Sequence, residues 1–303
     1  MEIDKIVIVT RLTRLEENIK RFNTKDQAKF YIEKRGQSFA DYELEYDNYH
    51  RAKEKVLKSM PSDAKIQIID REFLPSYLFG DKDLVVTLGQ DGLVVNTAKY
   101  LKGQLVFAIN PDIERFDGIL LPYQASDVPQ VLYSLKKDKF NTKNITMAKI
   151  ELNDGQYLYA FNDFYVGVNS HISARYTLKY KDKVERQMSS GIIISTPAGS
   201  TGWLSSLYNM AYGINPTKKR NQIIQWEDKK LFFVVREPFK SKWSDINIVT
   251  GTISEKESLL VESLMPEKGI VFSDGMETDF LEFNSGSTAK IKLADKTTNL
   301  LIK

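Results

Sequence analysis

The sequence predicts a chain in two parts, a Rossmann-like α/β domain followed by an all-β, sandwich-like domain. Three observations carry that expectation. Apolar runs of strand length alternate with helical segments over the first 110 residues. Short alternating runs separated by turn signals then take over for most of the remainder. A glycine-containing turn at 89–92 stands where a buried run passes into a helical one, and such junctions in α/β proteins bind phosphates.

Composition narrows the function classes. The 303 residues carry 43 Lys and Arg against 40 Asp and Glu, a net charge of +3 that is too weak to argue for a polyanionic partner. No nucleic-acid recognition motif appears. With 42% hydrophobic and 11% aromatic residues there is apolar surface for sizeable cores, which excludes intrinsic disorder. The absence of Cys excludes a disulfide framework, a thiolate nucleophile and a Cys-based zinc site, and it fits a reducing compartment. His50 and His171 are too far apart for a short-spaced pair, and neither stands near a nucleophile-elbow pattern. No stretch reaches the roughly 18 apolar residues of a membrane span. No Arg- and Ser-rich leader precedes the first strand, so a soluble, cytoplasmic protein is expected.

Taken in order, Ile6-Val-Ile-Val9 reads as a buried strand. The charged stretch from Leu15 to about Met60 places Ile19, Phe22, Phe30, Ile32, Val56 and Leu57 at intervals that suit amphipathic helices, and Pro61 stops the last of them. Residues 66–69 and 84–88 read as two more buried strands, the second entering the turn and then a helix over 94–101. Residues 105–109 close the α/β domain, whose boundary is set at 110. In the β-rich part, 111–303, strands are expected at 145–152, 157–168, 175–180, 184–188, 192–195, 231–235, 246–250, 259–262 and 270–272. One helix interrupts them, over 200–211, and the tail is free to pack back on the first domain. Lys218-Lys219-Arg220 marks an exposed basic loop between Pro216 and Asn221, and Asp274-Gly275 a simple hairpin turn.

Three stretches carry chemistry. In Gly89-Gln90-Asp91-Gly92, successive amide N–H groups and the positive end of a helix dipole make an anion cradle, and glycine lets phosphate oxygens approach the chain. Asp91 does not serve a cradle. A carboxylate beside phosphates is repulsive unless it binds Mg²⁺ or takes a proton from an attacking hydroxyl; the alternative is an Asp91 that caps the helix of an ordinary tight turn. The segment Ser195-Thr196-Pro197-Ala198-Gly199-Ser200-Thr201-Gly202-Trp203 ends a buried strand in a hydroxyl-rich loop and re-enters as a helix. That suits a polar ligand, or Ser200 or Thr201 as a plain N-cap. Asn162-Asp163 interrupts an aromatic run, and two adjacent polar residues there require partners, a ligand or a turn.

In order, in spacing and in the change of architecture between them, these motifs resemble those of the NAD kinase family. In that family a Gly-Gly-Asp-Gly loop, an Asn-Glu pair and a Thr-Pro-x-Gly-Ser-Thr-Ala-Tyr segment build one site between an α/β domain and a β-rich domain. The resemblance covers nearly the whole chain. It is closest to the mitochondrial-type branch, through Lys34-Arg-Gly-Gln-Ser-Phe39, Ile109-Asn-Pro-Asp-Ile-Glu-Arg115 and Ser173-Ala-Arg175. It implies the NAD kinase fold, ATP and Mg²⁺ as cofactors, NAD as substrate, and a homodimer or higher homo-oligomer paired through the β-rich domain.

The resemblance also assigns residues. Asp91 matches the base that activates the ribose 2′-hydroxyl, and Gly89, Gln90 and Gly92 match the loop around the phosphates. Asn162 and Asp163 match the pair that holds the dinucleotide, with Arg175, Thr196, Ser200, Thr201, Trp203 and Ser206 as further nucleotide-binding positions. Independently of the resemblance, Arg11 and Arg14, which follow the first strand at the end where α/β sheets bind ligands, and Arg115 and Arg175 are candidates for phosphate contact, of which no more than one or two are expected to act and the rest to be solvated. Four departures stand out: Gln90 for the second loop glycine, Asp163 for glutamate, Ser190 for an aspartate and Trp203 for a tyrosine. Leu93 also replaces the threonine that usually follows the loop. Two alternatives remain: a kinase of the same superfamily acting on a lipid or sugar hydroxyl, and a catalytically silent NAD or ATP sensor, against which Asp91 and the carboxylate at 163 argue.

Overall fold

The computed structural model describes residues 2–216, 224–276 and 279–303, so the basic tripeptide 218–220 lies outside the described residues. The chain divides into two compact units, Met1–Lys143 with Asn299–Lys303, and Asn144–Thr298. Among the described residues no helix is long and apolar enough to cross a membrane.

In the first unit β1 (Lys5–Thr10), β2 (Ile66–Asp70), β3 (Asp83–Leu88) and β4 (Leu105–Asn110) form a parallel sheet in the order β2-β1-β3-β4. The apolar runs of β1, β3 and β4 are buried almost throughout, as parallel strands covered on both faces must be. β2 corrects the expectation of a buried strand. It is the sheet edge, with β1 as its neighbour, and Ile66 and Ile68 are exposed. The amphipathic stretch forms α1 (Arg14–Phe22), α2 (Lys25–Lys34) and α3 (Phe39–Lys58). A capping box starts α1, in which Thr13 N–H donates to Glu16 and Glu16 N–H donates to Thr13 Oγ1. α4 (Asp91–Ala98) follows β3 directly.

The first core continues past 110. β5 (Tyr123–Gln124) pairs with the end of β4, and α5 (Val128–Lys136) lays Val128, Val131, Leu132 and Leu135 beside Tyr49, Ala52 and Val56 of α3 over Leu84, Val86 and Phe107. The shift to a β-rich pattern therefore falls one helix later than the strand grammar places it. The end of the last strand, β17 (Thr288–Ile302), also belongs here: Asn299 and Leu300 run parallel to Leu105 and Val106, and Leu300 and Leu301 are buried.

The second unit is a sandwich. β8 (Asp163–Val168), β11 (Ile192–Ser195), β12 (Lys230–Val235), β13 (Thr250–Ser254), β15 (Gly269–Ser273) and β16 (Phe280–Glu282) form an antiparallel sheet in the order β13-β12-β11-β8-β15-β16. Facing it are β9 (Ala174–Tyr180), β10 (Lys183–Ser189), β14 (Leu259–Ser263) and most of β17, in the order β10-β9-β14-β17, together with β6 (Asn141–Leu152) and β7 (Tyr157–Ala160). Phe164, Val166, Ile194 and Phe233 of one sheet pack against Ala148, Tyr176, Leu178, Val261 and Ile291 of the other. The run 157–168 is two strands, broken at Phe161 and Asn162. No strand forms over 246–249, and β13 begins at Thr250 instead. α6 (Trp203–Ile214) covers the outer face of the six-stranded sheet, where Trp203 and Leu207 meet Tyr165, Ile193 and Ile270.

Candidate functional site

In the first unit β1 leads to β2 on one side, and β3 returns on the other side of β1. The crevice at the carboxyl ends of β1 and β3 is therefore the topological switch point, where open α/β sheets bind ligands. The 89–92 turn lies there. Gly89 N–H donates to Ile109 O at 3.3 Å, and a Cβ on Gly89 would stand 2.8 Å from Leu93 Cδ2, so a larger residue here would have to displace the Leu93 side chain. Gln90 is different. Its φ of −88° and ψ of 169° are extended values that any residue adopts, so the loss of the second loop glycine leaves the turn unstrained. Around Gly92 the space is open.

Asp91 is not a cap. Gln90 holds the N-cap position without a side-chain hydrogen bond, and Asp91 Oδ1 instead accepts the Leu120 N–H at 2.6 Å from the segment that follows β4. That bond fixes the carboxylate by one oxygen. The other oxygen makes no hydrogen bond among the described residues, and the half-buried Asp91 keeps it available to a hydroxyl.

Three of the arginines form ion pairs with α3. Arg11, buried beside Gly89 at the end of β1, donates to Glu45 at 3.0 Å and to Leu12 O at 3.0 Å. Its N–H donates to Tyr49 Oη at 3.1 Å, and Tyr49 in turn donates to Leu88 O at 3.3 Å. Glu45 also receives Arg14 Nε, while Arg14 and Arg115 share Asp41 at 2.9 Å and 2.7 Å. Burial opposes the charge on Glu45, but hydrogen bonds from Arg14 and Arg11 outweigh it and hold the carboxyl below its usual value. Hydrogen bonds from Arg115 and Arg14 hold Asp41 at about 2. These ion pairs tie α3 to the segments after β1 and β4 that flank the turn.

In the second unit the other two motifs come together. The Thr196 N–H donates to Asn162 O at 2.8 Å, Thr196 Oγ1 donates to Phe161 O at 2.5 Å, and Gly199 N–H donates to Thr196 Oγ1 at 3.2 Å. A Cβ on Gly199 would overlap the Asn162 carbonyl, so the glycine is what lets the two segments touch. The Phe161, Asn162 and Asp163 N–H groups all donate to the Asp274 carboxylate, at 3.0, 2.7 and 3.2 Å. Asp274 and Gly275, at φ 55° and 70°, form the centre of a turn closed by Met276 N–H to Ser273 O at 3.0 Å. The hairpin reading of Asp274-Gly275 thus describes the backbone and misses the side chain. Asp163 itself is 7% exposed, and its carboxyl receives no hydrogen bond among the described residues. Burial, with the Asp274 carboxylate nearby, pushes it up to about 7.

The remaining positions divide. Neither Ser200 nor Thr201 caps α6, because a 3-10 turn over Ala198–Thr201 precedes it and Gly202 is the N-cap; Ser200 Oγ donates to Pro197 O at 2.6 Å and Thr201 is exposed. Trp203 stacks on Tyr165 with ring centroids 6.0 Å apart, and the Arg236 guanidinium lies 5.4 Å from its ring centre. Ser206, one turn further, is exposed and donates to Gly202 O. Arg175 lies exposed on β9, in the other sheet, without a side-chain contact to this cluster. Ser190 donates to Glu237, and His171 is exposed.

The α/β unit and the sandwich together have the fold of the NAD kinases. Yeast NADH kinase in complex with NADH superposes with a TM-score of 0.62 at 14% identity, over 100% of this chain and 84% of that one. The Archaeoglobus fulgidus NAD kinase in complex with ATP gives 0.57 at 15% identity, over 97% and 92%. In sequence, the chain is 28% identical to the NAD kinase of Thermoplasma acidophilum over 165 residues, 52% of this chain and 59% of that protein. It is 23% identical to the NAD kinase of Saccharolobus solfataricus over 153 residues, 50% and 55%. The chain thus spans somewhat over half the length of these curated relatives. No protein-family model matches it.

Proposed function

We propose that the chain is an NAD kinase, transferring the γ-phosphoryl group of ATP to the 2′-hydroxyl of the NAD adenosine ribose to give NADP. The observation that carries this reading is Asp91: a carboxylate at the switch-point turn, held by one oxygen through Leu120 N–H, with the other oxygen available. In the step, the ribose oxygen attacks the γ-phosphorus, the bond to the β-phosphate oxygen breaks, ADP leaves, and Asp91 takes the hydroxyl proton. Gly89, Gln90 and Gly92 receive the phosphates through the turn and the start of α4. Asn162 and Asp163, backed by Thr196, hold the dinucleotide, with Ser200, Thr201, Trp203 and Ser206 as outer contacts.

Among the described residues no three His, Asp or Glu side chains converge as a metal site. Mg²⁺ would accompany the ATP phosphates and supply charge neutralisation there. The exposed Met210, Tyr212 and Ile214 of α6 support a homodimer through the second unit. The segments at 34–39, 109–115 and 173–175 support the mitochondrial-type branch, and the Cys-free composition supports a reducing cytoplasm.

A coupled assay for NADP with Mg²⁺, ATP and NAD tests the reading. Turnover is expected, and Asp91→Asn is expected to lower it about 10²–10⁴-fold, the usual range for a general base. Absence of NADP from the wild-type protein would refute it and turn attention to other acceptor hydroxyls.

A further inference from the structure

We propose that Asp274 is a positioning residue of the dinucleotide-binding pair: its carboxylate fixes the backbone of Phe161, Asn162 and Asp163 from behind and faces the buried Asp163 carboxyl, so that hydrogen-bond donors of the ligand bind there with release of a proton. The inference rests on the reading that Asn162 and Asp163 receive NAD.

The geometry sets two carboxyl groups against each other. Asp274 takes three consecutive amide N–H groups, those of Phe161, Asn162 and Asp163, and its own N–H returns to Asp163 O at 2.9 Å. Three such donors favour the charged form of a carboxylate. They also lock the backbone at the break between β7 and β8, which aims the Asn162 and Asp163 side chains. Asp163 meets the opposite conditions. It is buried, no donor reaches it among the described residues, and the charge that acts on it is that of Asp274.

Among the described residues, the elements around Asp163 place no cation against its carboxyl. On β11 the residue opposite is Ser195, whose hydroxyl donates to Thr196 O. In the following loop the Thr196 and Ser200 hydroxyls donate to Phe161 O and Pro197 O. On β8 the next residue of the same face is Tyr165, whose phenol donates to Val168 O. The β15–β16 turn adds Asp274 and, further along, Asp279. A ribose diol or an adenine amino group carries the donors this carboxyl lacks. Such donors stabilise the ionised form, so binding draws the proton off Asp163 and affinity rises with pH through the neutral range.

Two measurements test this. Carbon-13 NMR of the aspartate carboxyl groups in the unliganded protein, with the Asp163 signal assigned through Asp163→Asn, should show Asp163 titrating near neutrality. In Asp274→Asn the midpoint should fall by roughly one pH unit or more. Calorimetric titration with NAD in two buffers of different ionisation enthalpy should show proton release, with affinity rising about tenfold from pH 6 to pH 8, as expected where only the ionised form binds. Asp163→Asn should abolish the proton release while still folding, so the proposal stays testable if Asp274→Asn does not fold; Asp274→Glu, which keeps the charge, should keep the high midpoint.

An Asp163 midpoint in the ordinary carboxylate range, or one unmoved by Asp274→Asn, overturns the proposal. So does NAD binding without proton release, and in that case the NAD reading stands. If the NMR titration behaves as expected while NAD does not bind, the NAD reading fails and the carboxylate pair stands.

Discussion

Gly199 and Asp163 show how much of the second unit depends on single atoms. A methyl at 199 meets the Asn162 carbonyl, and backbone cannot yield there as a flexible side chain would. Gly199→Ala is therefore expected to weaken NAD binding at least about tenfold and to lower the melting temperature, as read by calorimetry, since overpacking of this kind costs about 1–3 kcal/mol. Asp163 has a different signature. A carboxyl whose folded value is raised from 3.8 to about 7 takes up a proton on folding, so its contribution is full below 3.8 and is lost as pH rises through about 7. Asp163→Asn removes that loss. It should raise the melting temperature relative to wild type, more at pH 8 than at pH 5, while weakening NAD binding, which is the usual trade between a poised site and a stable one. Equal shifts at the two pH values would contradict the assignment.

Among the elements, α3 carries the clearest division of labour: one side lies on the first core and another bridges to the ligand end of the sheet through Glu45 and Asp41. Glu45→Gln leaves the buried Arg11 without its counter-charge, and the loss of one partner of a buried pair costs about 3–5 kcal/mol, to be read by urea denaturation. Because the Glu45 and Asp41 values are lowered, their contribution is present above the unfolded values of 4.5 and 3.8 and is lost on acidification. The wild-type protein should thus be more sensitive than the variant to a fall from pH 5 to pH 3. This network is not legible in the sequence, because a charge pair between separate segments has no local pattern. Much else is legible. Ile6–Val9, Leu84–Leu88 and Leu105–Ile109 announce buried parallel strands by being apolar at every position but Thr87, and the 89–92 turn and the 196–199 loop stand out by their glycines and hydroxyls. β17 was missed because 288–299 alternates Thr, Lys, Asp and Asn with few large apolar residues, and α5 because Pro129 near its start looks like loop. Asp274 escaped for a third reason. It acts on Phe161 across 113 positions, and only the pairing of β15 with β8 brings them together.

On the scale of the whole molecule, two separate cores predict two separable stabilities. Removal of residues 299–303 takes Leu300 and Leu301 from the first core, and loss of each buried leucine side chain costs about 2–5 kcal/mol. Differential scanning calorimetry should show the transition of the first unit displaced to lower temperature, with that of the second nearly unmoved. A uniform shift of both would show that the units unfold as one. The route of β17 also orders events during synthesis. Residues 144–298 are contiguous, so the second unit has its full sequence before the first does, although the first 143 residues leave the ribosome earliest. At about 5–20 residues per second the nascent first unit waits roughly 8–30 s for the strand that completes its sheet, with one flank of β4 open to whatever else is extended nearby.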